Sequence, residues 1–321
     1  MTIQDWQPTT DLQKLQERAG LLANIRMFFA DRGVLEVDTP ILSHGTGTDP
    51  ALEPIRAELI TPGEPAREVF LQTSPEFAMK RLLAFGSGPI YQLSRAFRNG
   101  ESGRRHNPEF TMLEWYRPGF TLDALMDEVT ALVSHVLGCV PPDRVTYSSL
   151  FMEHLSIDPL ESSLEQLKAC ARERLDISFD SRHPDHWLDL LFSHCIEPAI
   201  QAPLFIVNYP PSQAALAKVD IDHQGRSVAR RFELVIAGME IANGYQELTD
   251  VDEQRLRFQR DNHLRELSDL PVLPIDERLL AALEHGMPEC AGVALGVDRL
   301  LMLKTGTDDI SQVVSFPSGR A

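Results

Sequence analysis

Two apolar runs, Ile90 to Leu93 and Phe110 to Tyr116, flank a polar, glycine-containing loop from Asn99 to Pro108. Runs of this kind around such a loop fold as a long antiparallel hairpin. Further strand-like runs occur at Val34 to Val37, Leu204 to Asn208, Arg231 to Ala237, Glu240 to Thr249 and Gly292 to Val297. They are not interleaved with regular crossover helices. The pattern predicts a mainly antiparallel α+β domain, flanked by helices, rather than a doubly wound sheet.

Helical periodicity marks Thr10 to Arg32, where Leu12, Leu15, Ala19, Leu22, Ile25 and Phe29 share a face. Thr10 with Gln13 has the form of a capping box, and Gly33 fits the stop. Pro75 to Ala84 and the charged stretch Asp250 to Leu267 also read as helices. From Thr121 to His194 the pattern is mostly helical, broken at Pro141-Pro142 and Pro184. That segment carries His183, Asp185, His186 and His194, but no cysteine or carboxylate joins them at ligand spacing on a defined element. They read as solvated helix ends.

The chain has 321 residues, enough for one large domain or two modest ones. No apolar run is long enough to span a bilayer, and residues 1–10 lack the layout of a signal peptide. A cytoplasmic protein without membrane association is expected. Cys139, Cys170, Cys195 and Cys290 are too scattered for a disulfide framework or a zinc ribbon. The net charge of −17 repels nucleic-acid phosphate unless positive charge is concentrated locally. One such concentration exists, at Arg95, Arg98, Arg104 and Arg105, in and around the hairpin loop.

Three segments carry chemistry. The first is a helix exit, strand and proline, Gly33-Val-Leu-Glu-Val-Asp-Thr-Pro40. The second runs from Phe97-Arg98-Asn99 through Arg104-Arg105-His106-Asn107-Pro108-Glu109-Phe110-Thr111-Met112-Leu113-Glu114. An arginine there can grip a phosphate bidentately, and Phe110 offers a face to a base. The third is Gly292-Val-Ala-Leu-Gly296-Val-Asp298-Arg299, a glycine-bearing strand entering a helix. Gly296 lets a flat ligand approach, and Arg299 at a helix N-terminus suits a phosphate. The loop His44 to Pro50 has glycines but no Walker-type ending.

In this order the segments resemble the three signature motifs of class II aminoacyl-tRNA synthetases. RHNPEFTMLE and NGYQELTD (Asn243 to Asp250) are most similar to the lysyl type. The resemblance covers nearly the whole chain, so it implies a single catalytic domain over 1–321 with a mostly helical insertion at about 121–200. It implies ATP and Mg²⁺ as cofactors. Arg98 would hold the α-phosphate and Arg299 the γ-phosphate, both as catalytic residues. Asn99, Gly100, Asn107, Phe110, Glu240, Ile241 and Gly296 would line the nucleotide, with Glu233 and Glu240 on the metal. Ser74, Pro75, Glu76, Glu114, Tyr116, Asn243, Tyr245, Glu247 and Ala294 would line an amino-acid pocket. There Glu114 and Glu247 would face a distal ammonium, and Glu76 the amine nearer the carboxylate. The first motif, around Pro40, implies a homodimer.

The sequence departs from the lysyl type in three respects. No anticodon-reading barrel fits before the first motif, where only a helix-like segment stands. Phe97-Arg-Asn-Gly-Glu101 replaces the usual Phe-Arg-Asn-Glu-Gly, which leaves open the residue at the adenine edge. Ala294 replaces a glycine. These departures resemble a protein-modifying branch of the family, which activates (R)-β-lysine and passes it to a lysine ε-amine of translation elongation factor P. The expected acceptor is therefore that protein and not tRNA. Two alternatives stand beside this: a truncated enzyme loading lysine on tRNA or another amine, and a non-catalytic regulatory paralogue. The second of these should have lost phosphate- or metal-binding residues, yet Arg98, Arg299, Glu233 and Glu240 are all present.

Overall fold

The structure, a computed structural model, describes residues 6–321. The reading of residues 1–10 as lacking a leader therefore lies, for residues 1–5, outside the described residues. The chain opens with α1 (Leu12–Ala30), β1 (Leu35–Glu36), β2 (Leu42–Ser43), β3 (Arg56–Leu59), β4 (Arg67–Leu71) and α2 (Glu76–Phe85). The long hairpin follows as β5 (Ile90–Phe97) and β6 (Glu109–Pro118). Next come α3 (Leu122–Leu137), β7 (Asp143–Thr146), α4 (Tyr147–Leu155), α5 (Leu164–Arg174), α6 (Pro184–Leu191), β8 (Leu204–Tyr209) and β9 (Val219–Ile221). A second hairpin, β10 (Ser227–Ile236) and β11 (Met239–Gln246), precedes α7 (Val251–Leu267), α8 (Glu277–Gly286), β12 (Cys290–Gly296) and α9 (Val297–Thr305). The chain separates into two compact units, Met1–Phe120 with Leu248–Ala321, and Thr121–Glu247.

In the first unit the main strands lie in the order β1-β5-β6-β12, and a small sheet is ordered β2-β4-β3. Strand alternation divides the hairpin into two chemically distinct faces. Tyr91 and Trp115 are paired across it and face α1: Phe29 stacks on Tyr91 at 4.5 Å and meets Trp115 edge-on at 5.3 Å. Phe29 and Trp115 are fully buried, as are Leu21 and Ile25 of the same helix. Burying each such side chain contributes on the order of 2 kcal/mol, so the α1 face is the unit's core. The opposite face is left for Gln92, Phe110, Glu114 and Tyr116.

In the second unit the order is β11-β10-β8-β7, with β9 on the far end of β10. Trp187, Leu188 and Leu191 of α6, Tyr147 and Phe151 of α4 and Leu167 of α5 form one core with Ile206, Ala229 and Val235. The turn joining β10 to β11 has Ala237 at φ 51° and Gly238 at φ 63°. Two left-handed residues match the twist of a tight hairpin, and Gly238 adopts its angle without steric cost.

The α+β class and largely antiparallel pairing are as expected, and among the described residues a helix, not a barrel, precedes the first strand. Three details differ. The cap of α1 is Asp11, whose carboxylate accepts from the Lys14 backbone N–H, so Thr10 and Gln13 form no capping box. β1 pairs parallel with β5, and β7 parallel with β8. The small sheet β2-β4-β3 and helix α8 had no counterpart in the sequence reading.

Candidate active site

The second and third motif segments meet on the polar face of the first unit's sheet. Register sets Ala294 of β12 and Gln92 of β5 on either side of Glu114, in one row across three strands. Gly292 and Gly296 lie opposite Tyr116 and Met112 in the same way. The side chains on β12 in this row are therefore a methyl or nothing, which leaves open space over β6.

Glu114 is 2 % exposed. It accepts hydrogen bonds from Ser74 Oγ and, at 3.1 Å, from Tyr116 Oη. Ser74 Oγ in turn accepts the Glu76 backbone N–H at 3.0 Å, which joins the start of α2 to the β6 carboxylate. Pro75 stands as the N-terminal cap residue of α2, and Glu76 opens its first turn. A buried carboxylate held by hydroxyl donors is pre-organised for a cation, because its desolvation is already partly compensated.

Near the start of β6, on the same face, the Arg98 guanidinium lies 5.1 Å from the centre of the Phe110 ring. Arg98 Nε donates to the Thr73 carbonyl at 3.4 Å, and Nη1 meets Glu101 at 3.4 Å. Asn99 donates its backbone N–H to the Glu53 carbonyl at 2.7 Å. Gly100 has φ 81°, a left-handed angle that a larger side chain would strain. The Gly-Glu order at 100–101 therefore suits this turn and supplies Arg98 with a carboxylate partner.

Arg299 donates to His106 Nε2 at 2.7 Å and to the Arg105 carbonyl at 3.4 Å. It thus joins the first turn of α9 to the hairpin loop. Asn107, 6 % exposed, has both ends of its amide engaged: Nδ2 donates to Glu109 O and Oδ1 accepts from Ser318 N. It fastens the loop base to the C-terminal segment. A Cβ at Gly296 would touch the Arg299 side chain at 3.6 Å, so this glycine leaves the arginine room to lie against the strand.

The second unit carries the remaining candidates. Glu233 pairs in register with Asn243, and Val235 with Glu240 after a bulge. Arg231, absent from the sequence-based candidates, organises them. It forms an ion pair with Glu233, donates to Asn243 Oδ1 at 3.2 Å and to Gln213 O at 2.9 Å, and lies over the Tyr209 ring at 4.5 Å. The Arg-x-Glu spacing on a strand was the available signal, since it sets opposite charges side by side on one face. Burial pushes the Glu233 carboxyl above its ordinary value; Arg231 opposes that shift and the Glu240 charge adds to it. Two interacting carboxylates are a donor set suited to Mg²⁺, which binds one or two carboxylates together with substrate phosphates. Glu247 and Ile241 are 1 % and 2 % exposed, and Tyr245 lies opposite Arg231 in the ladder.

Among the described residues no cluster of three or more His, Cys, Asp or Glu could hold a metal ion, the 183–194 segment included. His186 instead hydrogen-bonds Ser181 at 2.8 Å. All four cysteines are free thiols. Among the described residues no helix is long and apolar enough to cross a membrane.

Comparison with known proteins gives a consistent result. A family model for tRNA synthetases class II (D, K and N) matches residues 4–320. The elongation factor P–(R)-β-lysine ligase of Proteus mirabilis is 51 % identical over 99 % of this chain and 99 % of its own length. Ligases of the same name from Pectobacterium carotovorum and Haemophilus influenzae are 50 % and 47 % identical, covering 98 % and 97 % of both chains respectively. With the motif geometry and this match over nearly every residue, the chain belongs to the class II tRNA synthetase family of the D, K and N type.

Proposed function

We propose that this protein activates (R)-β-lysine with ATP and transfers it to a lysine ε-amine of translation elongation factor P. One row of side chains on β6 carries the reading. Phe110 beside Arg98 suits the base and α-phosphate of a nucleotide, and Glu114 between Ser74 and Tyr116 suits an ammonium. The names and near-complete overlap of the relatives support the choice of substrate and acceptor.

In the first step a carboxylate oxygen of the amino acid attacks the α-phosphorus and pyrophosphate leaves. Arg98 and Arg299 neutralise charge on the phosphates, so catalysis is by positioning and electrostatics without a covalent protein intermediate. Glu233 and Glu240 would hold Mg²⁺, which would supply further charge neutralisation when bound. In the second step the deprotonated ε-amine of the acceptor attacks the adenylate carbonyl, forming an amide and releasing AMP. In the first unit we assign Asn99, Gly100, Asn107 and Gly296 to the nucleotide, and Ser74, Pro75, Glu76 and Ala294, with Glu114 and Tyr116, to the amino acid. In the second unit the family resemblance assigns Ile241 to the nucleotide and Asn243, Tyr245 and Glu247 to the amino acid.

The unbroken family match over residues 4–320 supports one catalytic domain with a helical insertion at about 121–200. A homodimer is supported by exposed apolar side chains in and after the first motif: Leu35 within it and Ile41 and Leu42 just beyond it. Asp38, Thr39 and Pro40 of the motif also line a groove with Arg81, Leu82 and the exposed Phe85 of α2. The protein acts in the cytoplasm, where its acceptor would be made. ATP–pyrophosphate exchange tests the first step: (R)-β-lysine should support it better than α-lysine, and exchange with neither would overturn the reading.

A further inference from the structure

We infer that Arg18, on the N-terminal helix and outside all three motifs, is a positioning residue that sets the spacing between the two ends of the ATP subsite. Arg18 Nη1 lies 2.5 Å from Asp298 Oδ1. Its Nη2 donates to Thr111 Oγ1 at 2.5 Å. Thr111 donates its backbone N–H to Asp298 Oδ2 at 2.6 Å, which closes the triangle. The Asp298 side chain is 2 % exposed and that of Arg18 14 %.

Thr111 directly follows Phe110, and Asp298 directly precedes Arg299. One guanidinium thus fixes the backbone next to the adenine-facing ring against the backbone next to the phosphate-facing arginine. Strand alternation sends the Thr111 side chain to the α1 face while Phe110 points to the polar face. The brace therefore acts from behind the sheet and has no contact with the nucleotide. A planar fork presents two spaced, fixed donors to the carboxylate and the hydroxyl; a lysine ammonium carries its three donors on one rotatable nitrogen and holds the two partners less rigidly. The buried Asp298 carboxylate also needs that cation, so the brace is locked electrostatically as well as geometrically.

The inference rests on the nucleotide reading of Phe110 and Arg299 given above. It is tested by pyrophosphate exchange with the full chain, comparing wild type, Arg18→Met, Arg18→Lys, Thr111→Val and Ile25→Ala. Ile25, fully buried on the same helix, serves as a stability control. Misplacing one end of a bound substrate costs about tenfold to a hundredfold. Arg18→Met is expected to raise KM for ATP by about tenfold or more, with KM for (R)-β-lysine within about twofold. Arg18→Lys should fall between that variant and wild type. Thr111→Val, which deletes one hydroxyl and keeps its shape, should raise KM for ATP about threefold. Ile25→Ala should lower Tm while leaving both KM values in place. The inference is overturned if KM for ATP stays unchanged in Thr111→Val, if Arg18→Met raises both KM values alike, or if Ile25→Ala raises KM for ATP equally. Should Arg18→Met fail to fold, Thr111→Val decides alone. A wild-type chain without exchange would instead overturn the nucleotide reading itself, and this inference with it.

Discussion

The Lys80 ammonium lies 2.6 Å from the Glu76 carboxylate, one turn earlier on α2, and the two side chains are only 2 % and 16 % exposed. Glu76, proposed above to border the amino acid, is thereby paired with a cation of its own helix. Breaking a buried pair from one side leaves a stranded charge and costs about 3 kcal/mol or more. Lys80→Met should lower the denaturation midpoint accordingly. Adding Glu76→Gln should restore part of the loss, because the stranded charge is then gone. A double variant no more stable than Lys80→Met would contradict the pairing as the cause.

Arg98 lies beside Phe110 at 5.1 Å, where it can meet a phosphate whose base stacks on that ring. Arg98→Ala should lower kcat/KM for pyrophosphate exchange by roughly a hundredfold to a thousandfold, the usual loss of one transition-state charge partner. KM for the amino acid should change little. Steady-state kinetics with each substrate varied in turn separates the two.

Glu114 receives hydroxyl donors from Ser74 and Tyr116. Glu114→Gln keeps an acceptor for one of them and removes the charge. A charged hydrogen bond to a substrate ammonium is worth about 1.5–3 kcal/mol, so KM for (R)-β-lysine should rise about tenfold to a hundredfold. An unchanged KM would take this carboxylate out of the ammonium site.

Asp261 on α7 accepts from Thr48 Oγ1 at 2.9 Å, and burial raises its carboxyl from 3.8 to about 6. A raised carboxyl pKa means that the folded state binds the proton more tightly than the unfolded chain. Its contribution is fully present below about pH 4 and is lost as pH rises through about 6. Two units correspond to roughly 3 kcal/mol. Asp261→Asn keeps an acceptor for Thr48, should raise Tm at pH 8, and should flatten the pH dependence of stability between about pH 4 and 6.

Legibility in the sequence followed how local each determinant was. The hairpin around Asn99 to Pro108 and the charged helix after Asp250 rest on alternation, periodicity and a cap, all readable within a short window; Asp250 does cap α7 by accepting from Glu253 N. The α1 cap shifted from Thr10 to Asp11 because neighbouring residues can both cap and only tertiary packing chooses, here by burying Thr10. Strands β3 and β4 escaped notice because Arg56-Ala-Glu-Leu59 is short and half charged, and its stability comes from pairing with β4. The partners of the candidate residues were the least legible. Arg18 meets Asp298 from 280 positions away, and nothing local marks either as the other's partner. Glu101 and Lys80 stood in plain view beside Arg98 and Glu76, but their pairing depends on a turn and a helix face that only the fold defines.

The destination of the activated acyl group separates a protein ligase from a tRNA-charging enzyme most directly. Purified protein, ATP, Mg²⁺ and labelled (R)-β-lysine should be incubated with elongation factor P and, separately, with tRNA, and the products followed by intact mass and label. One β-lysyl group on a single lysine of elongation factor P is expected, dependent on ATP, with tRNA left unlabelled. Efficient labelling of tRNA, with elongation factor P ignored, would contradict the protein-ligase reading.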